Sequence, residues 1–199
     1  MTEQHKDYQG AKFGMWLFLF TEILLFGGLF LLYSAYMHRY PEDFKEAGKA
    51  LDVFIGGLNT VVLITSSLTM ALSITALRRN EKGRCMAFLA FTVLCALAFL
   101  VNKFIEWSAK FGHGIFPGSP HLLEGPNGQG VFYSLYFAMT GLHGIHVCIG
   151  AALMIFVMVL IRRGRVTPEN FGFLENAGLY WHVVDLVWIF LFPLFYLIA

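Results

Sequence analysis

Charge is scarce in this sequence. Its 199 residues include 14 lysines and arginines and 13 aspartates and glutamates, so charged residues make up 14%, where a soluble globular domain carries about 25%. The few charges are clustered, and apolar stretches longer than 18 residues lie between the clusters, each able to cross a hydrocarbon core about 30 Å thick. A net charge of only +1 gives no electrostatic ground for nucleic-acid binding. Cysteine is rare as well. Cys85, Cys95 and Cys148 fall in or beside apolar stretches with no CxxC pair, which argues against a disulfide framework or a thiolate metal site and leaves them as small packing residues at helix contacts. A cleavable signal is also missing: thirteen mostly polar residues precede a long apolar run, and no small-residue cleavage site follows it. No internal repeat and no matched pair of Gly/Pro-broken spans is visible, which weighs against a secondary transporter.

What is present is hydrophobicity, at 57% of residues. The pattern predicts an all-α integral membrane bundle of five transmembrane helices in a single domain over residues 1–199. The spans run from about Gly14 to Tyr36, Leu51 to Leu77, Cys85 to Lys110, Gly130 to Ile161 and Leu174 to Ile198. The fourth is over-long for one crossing, so it tilts or projects beyond the bilayer. The connection 111–129, with Phe116-Pro117-Gly118-Ser119-Pro120, is expected to be irregular and outside the membrane. Nine lysines and arginines (Lys6, Lys12, Arg78, Arg79, Lys82, Arg84, Arg162, Arg163, Arg165) fall on one side of this topology and five on the other. The positive-inside rule then places the N-terminus in the cytoplasm and the C-terminus in the periplasm. Small residues four apart, Ser67-Ala71-Thr75 and Thr140-Gly144-Cys148, are expected at helix contacts.

An ionisable group inside a membrane is costly unless paired, neutral or hydrated. Glu22 lies eight residues into the first span, about 12 Å deep at 1.5 Å per residue. It is expected either to meet His182, which lies equally deep, or to remain a neutral carboxyl that reacts with a hydrophobic carbodiimide. Glu106 has Lys103 at i−3 and Lys110 at i+4 and reads as an interfacial ion pair. His143 and His146 are three residues apart in the fourth span, and His182 and Asp185 are three apart in the fifth. A metal site would draw its third ligand from the last pair, but the Glu-x-x-His repeat of di-iron bundles is missing. Imidazoles hydrogen-bonded across helices are the simpler reading.

Four segments together resemble one family. They are Gly14-Met15-Trp16-Leu17-Phe18-Leu19-Phe20-Thr21-Glu22; Leu58-Asn59-Thr60 with Thr65-Ser66-Ser67 and Thr69; Gly141-Leu142-His143-Gly144-Ile145-His146-Val147; and Tyr180-Trp181-His182-Val183-Val184-Asp185-Leu186-Val187-Trp188. In that order they resemble the core of cytochrome c oxidase subunit III. Longer members have seven helices, and the five here would correspond to the third to seventh, as in short bacterial forms. A closed lipid cleft is then replaced by an open face.

The resemblance implies a non-redox subunit of a haem–copper terminal oxidase in aerobic respiration, in a bacterial inner membrane. Haem and copper would sit on partner subunits I and II, with no cofactor or metal on this chain. Subunit I would be the main contact, joined by a small subunit IV. The chain would support proton uptake and protect the oxidase during turnover. Glu22 matches the family's carbodiimide-reactive carboxyl, Glu106 a second family carboxylate, and Arg162 or Arg163 an arginine that meets phospholipid; for these arginines positive-inside anchoring is an equal alternative. Thr21-Glu22 leans toward cytochrome c over quinol as donor. The alternatives are an accessory protein of nitric oxide reductase and, from a different class, a small proton channel or transporter.

The orientation is testable. In a cysteine-free background, a cysteine at Gly118 should react with an impermeant maleimide added to intact cells, and one at Asn80 only after permeabilisation. The reverse pattern would refute the cytoplasmic N-terminus.

Overall fold

In lipid a run of apolar residues can satisfy its backbone alone only as a helix, and every regular element among the described residues is one. The computed structural model describes residues 2–197, with side chains from Gln9 onward apart from those at 121 and 123. The expected span end at Ile198 and the side chain of Lys6 lie outside the described residues. The elements are α1 (Thr2–Arg39), α2 (Pro41–Lys49), α3 (Val53–Arg78), α4 (Lys82–Gly112), α5 (Pro120–Glu124), α6 (Asn127–Arg162) and α7 (Gly172–Tyr196). Five of them, α1 (from Gln9), α3, α4, α6 and α7, are long and apolar enough to cross a membrane. At 36 residues α6 is about 54 Å long.

The connections carry more order than their composition suggests. The stretch 111–129, expected to be irregular, holds α5, because Pro120 starts a helical turn and the Ser119 hydroxyl accepts from the Leu122 amide at 3.4 Å. The first connection forms α2, which buries Phe44, Ala47 and Gly48 against the bundle. Its Asp43 accepts from the Gly128 amide at 3.0 Å, so a carboxylate from one helix caps the first turn of another. Asp52 caps α3, its Oδ1 accepting from the amides of Phe54 and Ile55 at 2.9 and 3.1 Å.

Helices α3, α4, α6 and α7 make the body of the bundle, with α3 and α4 the most intimate pair. Its closest approaches use glycines other than the expected small-residue faces. A Cβ on Gly150 would stand 2.6 Å from the Trp181 ring, and one on Gly178 2.9 Å from Ile74 Cδ1. By contrast Ala71, Thr75 and Cys148 are exposed, and Gly144 has open space beside it. Spacing of four along a helix defines a face; it does not say which way the face turns. Of the cysteines only Cys85 is buried.

Among the described residues helix α1 packs on α2, α6 and α7 but on neither α3 nor α4, and three polar rungs hold it. Lys12 pairs with Glu175 at 3.6 Å, Glu22 meets His146, and the Tyr33 hydroxyl donates to the Leu194 carbonyl at 2.7 Å. Most of its large side chains face outward, Trp16, Phe20, Leu24 and Leu31 among them. An apolar groove of about 200 Å³ separates it from α7, and a larger one of about 550 Å³ lies between it and α6.

Gly150→Val should cost about 1–3 kcal/mol through overpacking against Trp181, read as a lower denaturation midpoint in detergent. Gly144→Val, at an open position, should leave the midpoint unchanged.

Candidate functional site

The polar side chains of the spans close on one another across helices. On α3 the hydroxyls first bond back to their own helix: Ser66 donates to the Leu63 carbonyl at 2.6 Å and Ser73 to Met70 at 2.7 Å, which keeps them satisfied in an apolar setting. Their remaining lone pairs then hold neighbours. Ser66 accepts from Trp181 Nε1 at 3.0 Å, Thr60 from Trp188 Nε1 at 3.0 Å, and Ser67 lies 2.7 Å from His182 Nδ1. Thr69 and Thr92 join α3 to α4 at 2.8 Å, and Asn102 donates to Asn59 at 2.9 Å.

Glu22 does not reach His182. Its Oε2 lies 2.9 Å from His146 Nε2, while His182 is engaged by Ser67. Equal depth was the basis for the expected pair, but α1 is seated on α6 and α7 with Glu22 turned toward α6. His146 Nδ1 is 2.7 Å from the Leu142 carbonyl, which can only accept, so Nδ1 carries a hydrogen. The contact to Glu22 therefore holds one further proton, on Nε2 or on the carboxyl. Both side chains remain partly exposed, at 12% and 15%.

His143 and His146 point to different places. Three residues on a helix turn through all but about 60° of a circle, and His143 faces inward between Phe99 and Trp188, with ring centres 5.4 and 5.3 Å away. Among the described residues neither of its nitrogens has a hydrogen-bond partner, and neither oxygen of the buried Asp185 completes a well-formed hydrogen bond. The hydroxyls of Ser66 and Ser67 face Asp185 but are engaged elsewhere.

The tightest constellation is at the other end of the bundle. Lys103 donates to Glu106 Oε2 at 3.1 Å, to the Tyr136 hydroxyl at 3.0 Å and to the Tyr196 hydroxyl at 2.9 Å, which uses all three of its hydrogens. Both tyrosines donate to Glu106 Oε1, at 2.6 and 2.7 Å. The ammonium also lies over the rings of Tyr136, Trp188 and Tyr196. Lys103 and Glu106 are 7% and 6% exposed, so this ion pair is buried inside the bundle. The expected second partner, Lys110, is not in ion-pair contact with Glu106. Sequence reasoning missed Tyr136 and Tyr196; their signal was a phenol placed inside an apolar span.

The five residues expected to form one polar network thus divide: His146 goes with Glu22, His182 and Asp185 with α3, and Glu106 with Lys103, while His143 stands between aromatic rings. Between Asp185 and Lys103 the interior is filled by Phe99 and Trp188, whose ring centres are 4.7 Å apart. Among the described residues no group of three or more His, Cys, Asp or Glu side chains is arranged to hold a metal ion. Arg162 and Arg163 are exposed at the end of α6. Across that end Arg78 lies over the Phe171 ring at 5.1 Å, which brings the loop after α3 against the loop after α6.

Comparison with known proteins agrees with this architecture. The family profile described as Cytochrome c oxidase subunit III matches residues 2–199. Cytochrome c oxidase subunit 3 of Synechocystis sp. is 33% identical over 195 residues, covering 98% of this chain and 77% of the relative. Cytochrome bo(3) ubiquinol oxidase subunit 3 of Pseudomonas aeruginosa is 29% identical, covering 98% and 88%. The probable quinol oxidase subunit 3 of Staphylococcus haemolyticus is 29% identical, covering 100% and 94%.

Lys103→Met alone should destabilise the bundle by about 3–5 kcal/mol, because it strands a buried carboxylate. Adding Glu106→Gln should recover part of that loss, measured as a coupling energy in a double-mutant cycle of denaturant unfolding in micelles. Additive losses would refute the closed network.

Proposed function

The chain belongs to the cytochrome c oxidase subunit III family, and from that premise we propose that it acts as a supporting subunit of a haem–copper terminal oxidase, without a redox centre of its own. The observation that carries this reading is how the ionisable side chains of the spans are used. Glu22 and His146, and Lys103 with Glu106 and two tyrosines, fasten helices to one another. A bundle fastened in this way is a rigid body to set against a neighbour. We place haem and copper on subunits I and II, with subunit I as the main contact through the broad apolar faces and a small subunit IV beside it.

The rest of the role follows from the same premise. The complex would lie in a bacterial inner membrane with the basic end of this chain in the cytoplasm, where Arg162 and Arg163 meet phospholipid phosphate. The open side of α1 would take lipid in place of a closed cleft. The subunit would support proton uptake by subunit I and prolong turnover. Glu22, partly exposed beside α6, is the carboxyl we assign to carbodiimide modification. Relatives named for cytochrome c and for quinol oxidases both match the chain; Thr21-Glu22 inclines us to cytochrome c.

The test is purification of the complex from native membranes. A haem-bearing subunit I should co-purify, and the separated chain should show no haem in a reduced-minus-oxidised spectrum. Oxygen uptake should be faster with reduced cytochrome c than with quinol. Stripping this subunit should leave the initial rate largely intact while the enzyme loses activity over successive turnovers. Carbodiimide incorporation should vanish in Glu22→Gln. Haem retained on this chain, or a nitric oxide reductase as the co-purifying partner, would overturn the reading.

A further inference from the structure

The charges at the end of α4 do not balance. Lys103, Glu106 and Lys110 are 7%, 6% and 8% exposed, two cations against one anion. Glu106 has nothing left to offer the second cation: Oε2 accepts from Lys103, and Oε1 accepts from both Tyr136 and Tyr196. Lys110 itself has no hydrogen-bond or ion-pair partner among the described residues. Its ammonium lies 5.6 and 5.7 Å from the ring centres of Tyr133 and Tyr136. Those rings contribute only a weak attraction and leave the ammonium's hydrogens free for another partner. Of the other carboxylates at this end, Asp43 accepts from the Gly128 amide, Asp52 from the first turn of α3 and Glu46 from Gln129, and neither Glu42 nor Glu124 is in ion-pair contact with Lys110.

The setting indicates what supplies the missing anion. Lys110 is two residues from the end of α4 at Gly112, so it lies where a span leaves the hydrocarbon. Beside it Trp107, Phe111, Phe116 and Phe137 pack together, with ring centres 5.0 to 5.6 Å apart. Phe111 is half exposed. Trp and Tyr mark the level of lipid headgroups, and with Trp107, Tyr133 and Tyr136 around this end of α4 the anion presented at that level is phosphate. A compact ammonium with three free donors suits its oxygens.

We propose that Lys110 is the cationic anchor of a phosphate-binding site at the end of the bundle opposite Arg162 and Arg163, filled by a phospholipid headgroup or by free phosphate. The site does not depend on which electron donor the oxidase uses.

The complex containing this chain is stripped of lipid in detergent and titrated with short-chain phosphatidylglycerol and, separately, with inorganic phosphate, and bound equivalents are counted by native mass spectrometry. Wild type should bind one equivalent that Lys110→Gln binds about tenfold more weakly and that Lys110→Arg retains, while Arg162→Gln leaves it in place. A difference seen only with phosphatidylglycerol assigns the site to lipid; one seen with both ligands assigns it to the phosphate group alone. Equal binding of both ligands by wild type and Lys110→Gln overturns the proposal. Should Lys110→Gln fail to assemble, a photoreactive phosphatidylglycerol on the wild-type complex decides: labelling of the 103–116 peptide supports the site, and labelling confined to other segments refutes it.

Discussion

In an apolar solvent a buried charge survives only if every hydrogen and lone pair it carries is used, and the bundle is organised around one place where that condition is met. Lys103 and Glu106 supply opposite charges from α4, and Tyr136 and Tyr196 bring a phenol each from α6 and α7. Water cannot substitute for a missing partner at 6–7% exposure. The three helices must therefore arrive together, in one register. Hydrophobic burial gives no comparable direction here, because lipid tails are as apolar as the side chains they would replace.

The other half of the bundle solves the same problem with neutral groups. Ser66 and Thr60 on α3 bond to their own backbone and accept from Trp181 and Trp188 on α7, and Ser67 pairs with His182. Glycines let large rings come close, as Gly150 does for Trp181. Helix α1 is different. Its described residues make three polar rungs and a largely lipid-facing surface, so it is the least embedded of the spans. That places the Glu22–His146 pair at the edge of the bundle, where lipid and neighbouring subunits can reach it.

Much of this could be read before any coordinates. Five apolar runs separated by charge clusters fix five helices, because length and the need to satisfy the backbone leave no other form. The Gly-x-His-Gly-x-His-Val and Trp-His-x-x-Asp segments pointed to the family whose profile matches the chain. Lys103 at i−3 from Glu106 was visible as a pair. The pairing of Glu22 was misjudged: depth along a span follows from counting residues, whereas rotation about the helix axis does not. Of Ser67-Ala71-Thr75 only Ser67 meets another helix, for the same reason. The α2 helix and the α5 turn were hidden in segments whose polar, Gly- and Pro-containing composition reads as loop.

The sequence by itself determined the class, the number of spans and the kinds of polar group each span must accommodate, since these depend only on the order of residues and the thickness of a bilayer. Only the tertiary structure decided which partner each group has. A pair such as Glu22 and His146, or Lys103 and Tyr196, lies 124 or 93 residues apart. Bringing such residues within 3 Å depends on how helices rotate and cross, and those angles are set jointly by side chains on every neighbouring helix.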